Sequence, residues 1–159
     1  MIRKVDFTET KTLNYIYSII TQLDNTDMTN VISDDFSYED FIACCDSVYI
    51  YTDEASINSV YPKINGLICI RRYHRNQNLK YYSFDGSYSI EVLYVPSWIS
   101  NHDKYNIVSE LIKVSTYDKK DLPVNVCFNA LPEEVHTAIE DNGFVLHYFD
   151  NDIQIYTKI

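Results

Sequence analysis

The sequence predicts a single α/β domain, in which a twisted mixed sheet of about six or seven strands carries helices on both faces. The order of predicted elements is β-α-α-β-β-β-α-β-α-β-β, so helices interrupt the strands along the whole chain. The 159 residues are the length of one domain, and 46% of them are hydrophobic, which is enough to bury a core. Only three glycines and four prolines are present, too few for the tight turns of a β-barrel or sandwich.

The N-terminal part predicts one strand and two helices. Residues 2–7, IRKVDF, alternate sufficiently for a strand. Thr8 is expected to cap the next helix, whose apolar side chains recur at helical spacing. A second, short helix is expected to open at Ser37, because Asp40 three residues later approximates a capping box.

The middle of the chain predicts three consecutive strands. They cover 47–54, 64–75 and 89–95. Residues 76–88 are expected to extend the sheet as a hairpin, with a tight turn at Asp85–Gly86.

The C-terminal part continues this alternation. Asp103 is expected to cap a helix, and the strand at 122–130 then completes a β-α-β unit that supplies the parallel part of the sheet. The next helix should have Pro132 at its first position and Gly143 as its left-handed stop. Two terminal strands are expected to pair around residues 150–152.

The charge of the chain argues against some partners. The formal charge is −10 and the pI about 4.6, which disfavours direct binding to nucleic acid or to an anionic membrane. Residues 24–54 hold nine carboxylates and no lysine or arginine. Solubility explains such a surface, and an acidic face that docks on a basic partner or mimics nucleic acid remains the alternative.

The N-terminal residues lack the apolar core of a signal peptide, and no apolar run approaches the roughly 20 residues that span a bilayer. We therefore expect a cytoplasmic protein that is not secreted and does not contact a membrane.

Metal and nucleophile chemistry has little support. The four cysteines, at 44, 45, 69 and 127, show no CxxC spacing, and the four histidines show no ligand pattern, so free thiols and no metal are expected. Basic and tyrosine residues interleave between Arg71 and Tyr82. We expect these cations to pair with the protein's own carboxylates or with a partner rather than with nucleic acid.

The order of the predicted elements, taken together with three segments, resembles the GNAT family of N-acyltransferases, and the order carries most of the weight. IEVLYVPSWI, followed by a helix, resembles the V-x-P-x-[YW]-like end of the strand that precedes the family's acyl-CoA loop. AIEDNGFV resembles the family's A-x-x-x-Y-x-x-x-GF ending, and MIRKVDFTET resembles its usual start. The resemblance spans essentially the whole chain. It implies a three-layer GNAT-like fold and, in active members, acetyl-CoA as the cofactor.

The acyl-CoA loop departs from the family pattern. In the family it reads roughly [QR]-x-x-G-x-[GA], and its glycines let backbone N–H groups close on the pyrophosphate. The aligned stretch here, 97–106, contains no glycine, and Asp103 adds a negative charge beside an anionic ligand. The resemblance places the candidate cofactor contacts at Val95, Ser97, Ser100, Asn101, His102, Asp103 and Lys104.

The candidate catalytic residues also differ. Ile139 stands where the family often has the tyrosine that protonates the leaving thiolate, and it cannot transfer a proton. His136, one turn earlier, is more readily explained as a surface or half-buried side chain than as a replacement acid. Glu91 resembles the base of some family enzymes, with pairing to a neighbouring strand's Arg or Tyr as the alternative. Strand alternation puts Glu91, Leu93 and Val95 on one face and Ile90, Val92 and Tyr94 on the other. Tyr94 is a candidate acid, together with Tyr148, only if the two lie near each other and near a thiol.

These departures favour a protein with a degenerate acetyl-CoA site, no cofactor, and a role in binding a protein partner or assembly, including as a subunit of an oligomer. A virion or accessory protein of a phage is a specific form of this hypothesis, suggested by the Tyr-, Asn-, Asp- and Ile-rich composition. The second hypothesis is an N-acetyltransferase that grips acetyl-CoA in a divergent way, and the third is an acidic inhibitor. An enzyme predicts an open cleft between the strands 89–95 and 123–129. A scaffold predicts that Trp98, Tyr94 or Phe128 fills it.

Overall fold

The computed structural model describes residues 1–23, 37–72, 87–121, 123–128, 131–150 and 153–158. Within these ranges a single sheet of seven strands has the order β1-β2-β3-β4-β5-β7-β6. The strands are β1 (Ile2–Val5), β2 (Cys45–Tyr51), β3 (Gly66–Arg72), β4 (Tyr88–Tyr94), β5 (Val124–Phe128), β6 (Val145–Asp150) and β7 (Ile153–Lys158). The helices are α1 (Thr10–Ile20), α2 (Tyr38–Cys44), α3 (Asn101–Thr116) and α4 (Glu133–Asp141).

The predicted element order and the mixed sheet are confirmed. β4 and β5 run parallel and are connected through α3, whereas the other neighbouring strands pair antiparallel. The terminal pair, β6 with β7, is also confirmed. The predicted turn at Asp85–Gly86 lies outside the described residues, as do most of residues 76–88.

Helices cover both faces of the sheet, as the sequence predicts. Side chains alternate along β3, so that Leu67 and Cys69 join the cluster beneath α1 and α2, whereas Ile68 and Ile70 join the cluster beneath α3 and α4. Burying both faces requires an almost continuous apolar strand, which explains the run GLICI.

Three helix starts differ from the prediction. Thr8 does not cap α1: Glu9 occupies that position without a side-chain cap, and the Thr8 hydroxyl donates to the Asp6 carboxylate at 2.8 Å. Ser100, not Asp103, caps α3, because its Oγ accepts the N–H of Asp103 at 3.3 Å. Pro132 precedes the first residue of α4 instead of occupying it.

Two other predicted helix boundaries are confirmed. The Ser37 side chain accepts the N–H of Asp40 at 3.1 Å and caps α2. Gly143 ends α4 with a φ of 91°, the left-handed conformation that glycine adopts without a Cβ clash.

Candidate functional site

The parallel strands β4 and β5 separate along their length. Their pairing joins Tyr88 with Val124 and Ile90 with Val126, with one residue pair between these. It ends there, although β4 continues to Tyr94 and β5 to Phe128. The two strands therefore diverge toward their carboxyl ends, where an open α/β sheet holds ligands.

A buried polar network fixes the point from which the strands diverge. The Nδ2 atom of Asn125 donates to the Ser87 hydroxyl at 3.0 Å, and the Thr157 hydroxyl donates to Oδ1 of Asn125 at 2.7 Å. All three side chains are buried. Asn125 thus joins β5 to β7 and to the residue that precedes β4.

Glu91 occupies a β-bulge in β4. Cys69 of β3 pairs with Val92 and Ile70 pairs with Ile90, so that Glu91 is the extra residue. The predicted alternation is therefore wrong. Ile90 and Leu93 join the cluster under α3 and α4, whereas Val92 joins the one under α1 and α2, because the bulge shifts the phase of the strand.

The Glu91 carboxylate pairs with a neighbouring strand, which was the alternative to a catalytic base. Its Oε1 atom lies 3.6 Å from Nη1 of Arg71, and the two side chains are 17% and 21% exposed. Phe41 and Cys45 help to enclose a cavity of about 20 Å³ beside this pair. That space holds about one water molecule, so a substrate amine would need movement of α2 to reach Glu91 from this side.

Tyr94 and Val95 lie at the carboxyl end of β4 on opposite faces. Tyr94 packs half-buried against the α1 and α2 cluster, and Val95 packs against the α3 and α4 cluster. Tyr148 lies in β6, three strands from β4 in the sheet order, which separates their backbones by about 14 Å. The two strands are therefore not neighbours in the sheet, and the pairing of Tyr94 with Tyr148 as acids stays a prediction.

The candidate cofactor turn before α3 is exposed, and one of its own side chains, that of Ser100, caps the helix. The Ile99 N–H donates to the Pro96 carbonyl at 3.1 Å, which tightens the turn before α3. Ser97, Ser100, Asn101, His102 and Asp103 are exposed, and Lys104 is half-buried.

A helix N-terminus leaves N–H groups outside the helical ladder, and these are what a phosphate would use. The Asp103 N–H is taken by Ser100, and the Asp103 carboxylate adds negative charge in the same turn. The N–H groups of Asn101 and His102 are the remaining candidates for holding a pyrophosphate.

Trp98 is one of the aromatic side chains that a scaffold predicts in the cleft between β4 and β5, but it does not fill this cleft. It is 63% exposed, and Nζ of Lys63 lies 5.2 Å from the centroid of its ring. Phe128 is 2% exposed and stacks on Tyr156 with ring centroids 5.5 Å apart. Phe128 therefore belongs to the core that α4 covers.

Ile139 is fully buried in that core, so no proton donor replaces the family's tyrosine at this position. His136 is half-buried, one of the two environments expected for it. Its Nε2 atom lies 2.9 Å from the Tyr156 hydroxyl and 3.0 Å from Oε1 of Glu140. Burial, followed by the charge of Glu140, raises the pKa of Tyr156. The i,i+4 spacing of His136 and Glu140 was visible in the sequence, but their contact with Tyr156 depends on the fold.

The described thiols are free. Cys69 is buried, and burial followed by its contact with Cys45 raises the pKa of the Cys69 thiol, which disfavours the reactive thiolate. Among the described residues no group of three His, Cys, Asp or Glu side chains could hold a metal ion. No helix in the described ranges is long and apolar enough to cross a membrane.

The acidic run is described only in part. Glu39, Asp40, Asp46, Asp53 and Glu54 are exposed, and the other four carboxylates lie outside the described residues. One contiguous acidic face therefore stays a prediction. In the basic segment, Arg71 pairs with the protein's own Glu91, and Arg72 lies 5.8 Å from the ring centroid of Tyr88. The segment beyond Arg72 is outside the described ranges.

Known structures share this architecture. A protein from Bordetella pertussis assigned to the GnaT family of acetyltransferases has a TM-score of 0.59 at 10% identity, with 100% of this chain and 99% of that chain covered. The ribosomal-protein-alanine N-acetyltransferase of Brucella melitensis has a TM-score of 0.56 at 11% identity, covering 100% and 99%. A chain of the NatC complex bound to Gag peptide and CoA has a TM-score of 0.55 at 15% identity, covering 99% and 94%.

The chain has the GNAT fold, as its sequence predicts. No protein-family model matches the sequence, and no curated protein matches it. The likeness at this level of identity is one of fold.

Proposed function

We propose that this GNAT-fold protein acts by binding another protein, alone or as a subunit of an assembly, and does not transfer acetyl groups. The observation that supports this most directly is the turn before α3. The Ser100 side chain caps the helix there, Asp103 lies in its first turn, and no glycine opens the backbone. A pyrophosphate would have to displace this cap and approach a carboxylate.

The core beneath α4 supports the same proposal. Ile139 is fully buried, and replacing it with a proton donor would require the core to be repacked. The thiolate of CoA would then leave without a general acid at the position where the family often has one.

Exposed apolar side chains form a surface suited to a protein partner. Tyr61 and Trp98 are 62% and 63% exposed, and Val60 is 46% exposed. Tyr61 contacts Tyr15 edge-on at 5.6 Å, and Lys63 lies over Trp98. Tyrosine and tryptophan side chains are enriched at protein interfaces and among the residues that contribute most to binding. A virion or accessory role in a phage is a specific form of this proposal, with support from composition alone.

An N-acetyltransferase is the second candidate, and one observation favours it. β4 and β5 diverge beyond Ile90 and Val126, and Trp98 does not occupy the space between them. Acetyl-CoA would lie in this space with its pyrophosphate at Asn101 and His102, and Glu91 would act as the base. The ion pair with Arg71 would first have to open.

Isothermal titration with acetyl-CoA at low salt tests these candidates. The non-catalytic proposal expects no heat, and no thermal shift at millimolar acetyl-CoA. Micromolar binding that persists when Lys120 and Lys158, far from the turn, are both changed to Gln would overturn it. A Glu91→Gln variant and a screen of amine substrates would then be needed to measure acetyl transfer.

A further inference from the structure

We propose that a cavity at the C-terminal end of α3 binds a small anion that carries two or more phosphate groups. The cavity has a volume of about 450 Å³ and lies between the end of α3, the start of β5 and the end of β7. Four lysines line it: Lys113, Lys119, Lys120 and Lys158. This inference is independent of the function proposed above.

The concentration of cations is unusual for this chain. Its 13 lysines and arginines are outnumbered by 23 carboxylates, yet four of the cations meet at one cavity. The net charge of −10 repels anions at long range, but salt screens that repulsion beyond about 10 Å at 0.1 M. The charges that line the cavity therefore decide whether an anion binds.

One of the four lysines is built into the fold. The Lys119 side chain is 4% exposed, and its Nζ lies 3.3 Å from Asp46 and 3.2 Å from Asp118. Burial alone would lower the pKa of Lys119, but Asp118 and Asp46 together outweigh it and raise the pKa. Lys119 therefore remains charged, and these two carboxylates already balance it.

The other three lysines have no such carboxylate partner in the described part of the chain. Among the residues that the structure describes, no carboxylate oxygen lies within 4.0 Å of Lys113, Lys120 or Lys158. Lys113 complements the carbonyl end of α3, since it lies in the last turn of that helix. Lys120 follows the helix and Lys158 comes from β7. The negative charge at the end of one helix therefore does not explain why these lysines lie at the same cavity.

The size and chemistry of the cavity fit a phosphate ligand. Lysine ammonium groups bind phosphate oxygens through charge-assisted hydrogen bonds, and ligand sites usually enclose about 300–1,000 Å³. Tyr117, which is 76% exposed at the cavity, offers a ring for stacking, while Lys120 lies 5.2 Å from the centroid of that ring. The site is separate from the turn at Ser100, because the length of α3 puts about 20 Å between them.

Isothermal titration with pyrophosphate, tripolyphosphate and ATP at 0.15 M salt tests the proposal. We expect Lys120→Gln and Lys158→Gln each to weaken binding about tenfold, the effect of losing one charge-assisted hydrogen bond. Lys11→Gln is the matched control, because it removes the same charge from an exposed position on α1 and should leave the affinity unchanged. Thermal melting of each variant checks that it is folded.

Absence of binding by the wild-type protein overturns the proposal, as does an equal loss of affinity in Lys11→Gln. Tighter binding of ATP than of tripolyphosphate assigns the ligand to nucleotides, and equal binding assigns it to the phosphates alone. Acetyl-CoA also carries phosphates, so it belongs in the same series. Heat from acetyl-CoA that disappears in the Lys120→Gln, Lys158→Gln double variant comes from this cavity, whereas heat that persists comes from the cleft between β4 and β5.

Discussion

Gly66 lies so close to Ile107 that a Cβ atom on Gly66 would be 2.6 Å from Cγ2 of Ile107. The same atom would lie 3.0 Å from Cδ1 of Leu111. Both side chains of α3 are buried and have little room to move away. α3 can pack this closely on the sheet only because Gly66 has no side chain. The position of the turn at Ser100 depends on this packing.

Gly66→Ala should lower the free energy of unfolding by about 1–3 kcal/mol, because the new methyl group overpacks a filled core. Urea titration measures this. Gly143→Ala is a useful comparison, since its cost of about 1–2 kcal/mol comes from a positive φ and not from crowding. A Gly66→Ala variant as stable as the wild type would contradict the close approach of β3 and α3.

Ser100→Ala should destabilise the protein by about 1 kcal/mol, through loss of the cap on α3. Asp103→Asn should cost less, about 0.3–1 kcal/mol, because Asp103 contributes only its charge near the helix N-terminus. Thermal melting of both variants at low salt gives the order. The reverse order would restore Asp103 as the cap, which is what the sequence alone predicted.

Asn125→Ala should destabilise the protein by roughly 2–4 kcal/mol, because it removes two buried hydrogen bonds and creates a small cavity. Ser87→Ala removes only one of the two hydrogen bonds and should cost less. Chemical denaturation of the pair tests whether Asn125 is the centre of the network. Equal losses in the two variants would place the centre elsewhere.

Stability should fall at alkaline pH, in part through Tyr156. Its pKa is raised in the folded protein by burial and by Glu140, so the stability it contributes is fully present below the unfolded pKa of about 10. That contribution is lost as the pH rises through the higher folded pKa. Tyr156→Phe should therefore show a smaller loss of stability above pH 10 than the wild type, measured by urea titration across that range. An unchanged pH profile would remove Tyr156 from the explanation.

Much of the fold could be predicted from local patterns. The element order, the parallel β4–β5 unit and the Gly143 stop all depend on periodicity and on backbone preferences that neighbouring residues determine. The caps of α1 and α3 could not be assigned this way, because several Ser, Thr and Asp residues near each start compete for the same N–H groups.

The candidate site, like the fold, could be predicted only in part from the sequence. Its lack of glycine between Pro96 and Lys104, and the apolar residue at 139, can be read from the sequence alone. The face on which each β4 side chain lies could not, since one extra residue at Glu91 shifts the alternation and its presence depends on pairing with β3.

The sequence by itself determined the class of fold, because hydrophobic periodicity and chain order restrict how strands and helices can be layered. Only the tertiary structure decided which charged groups meet. Arg71 pairs with Glu91, His136 reaches Tyr156, and the lysines of α3 and β7 converge on one cavity. Each of these contacts joins residues that are distant in the chain, and no local pattern encodes how strand pairing and helix packing bring them together.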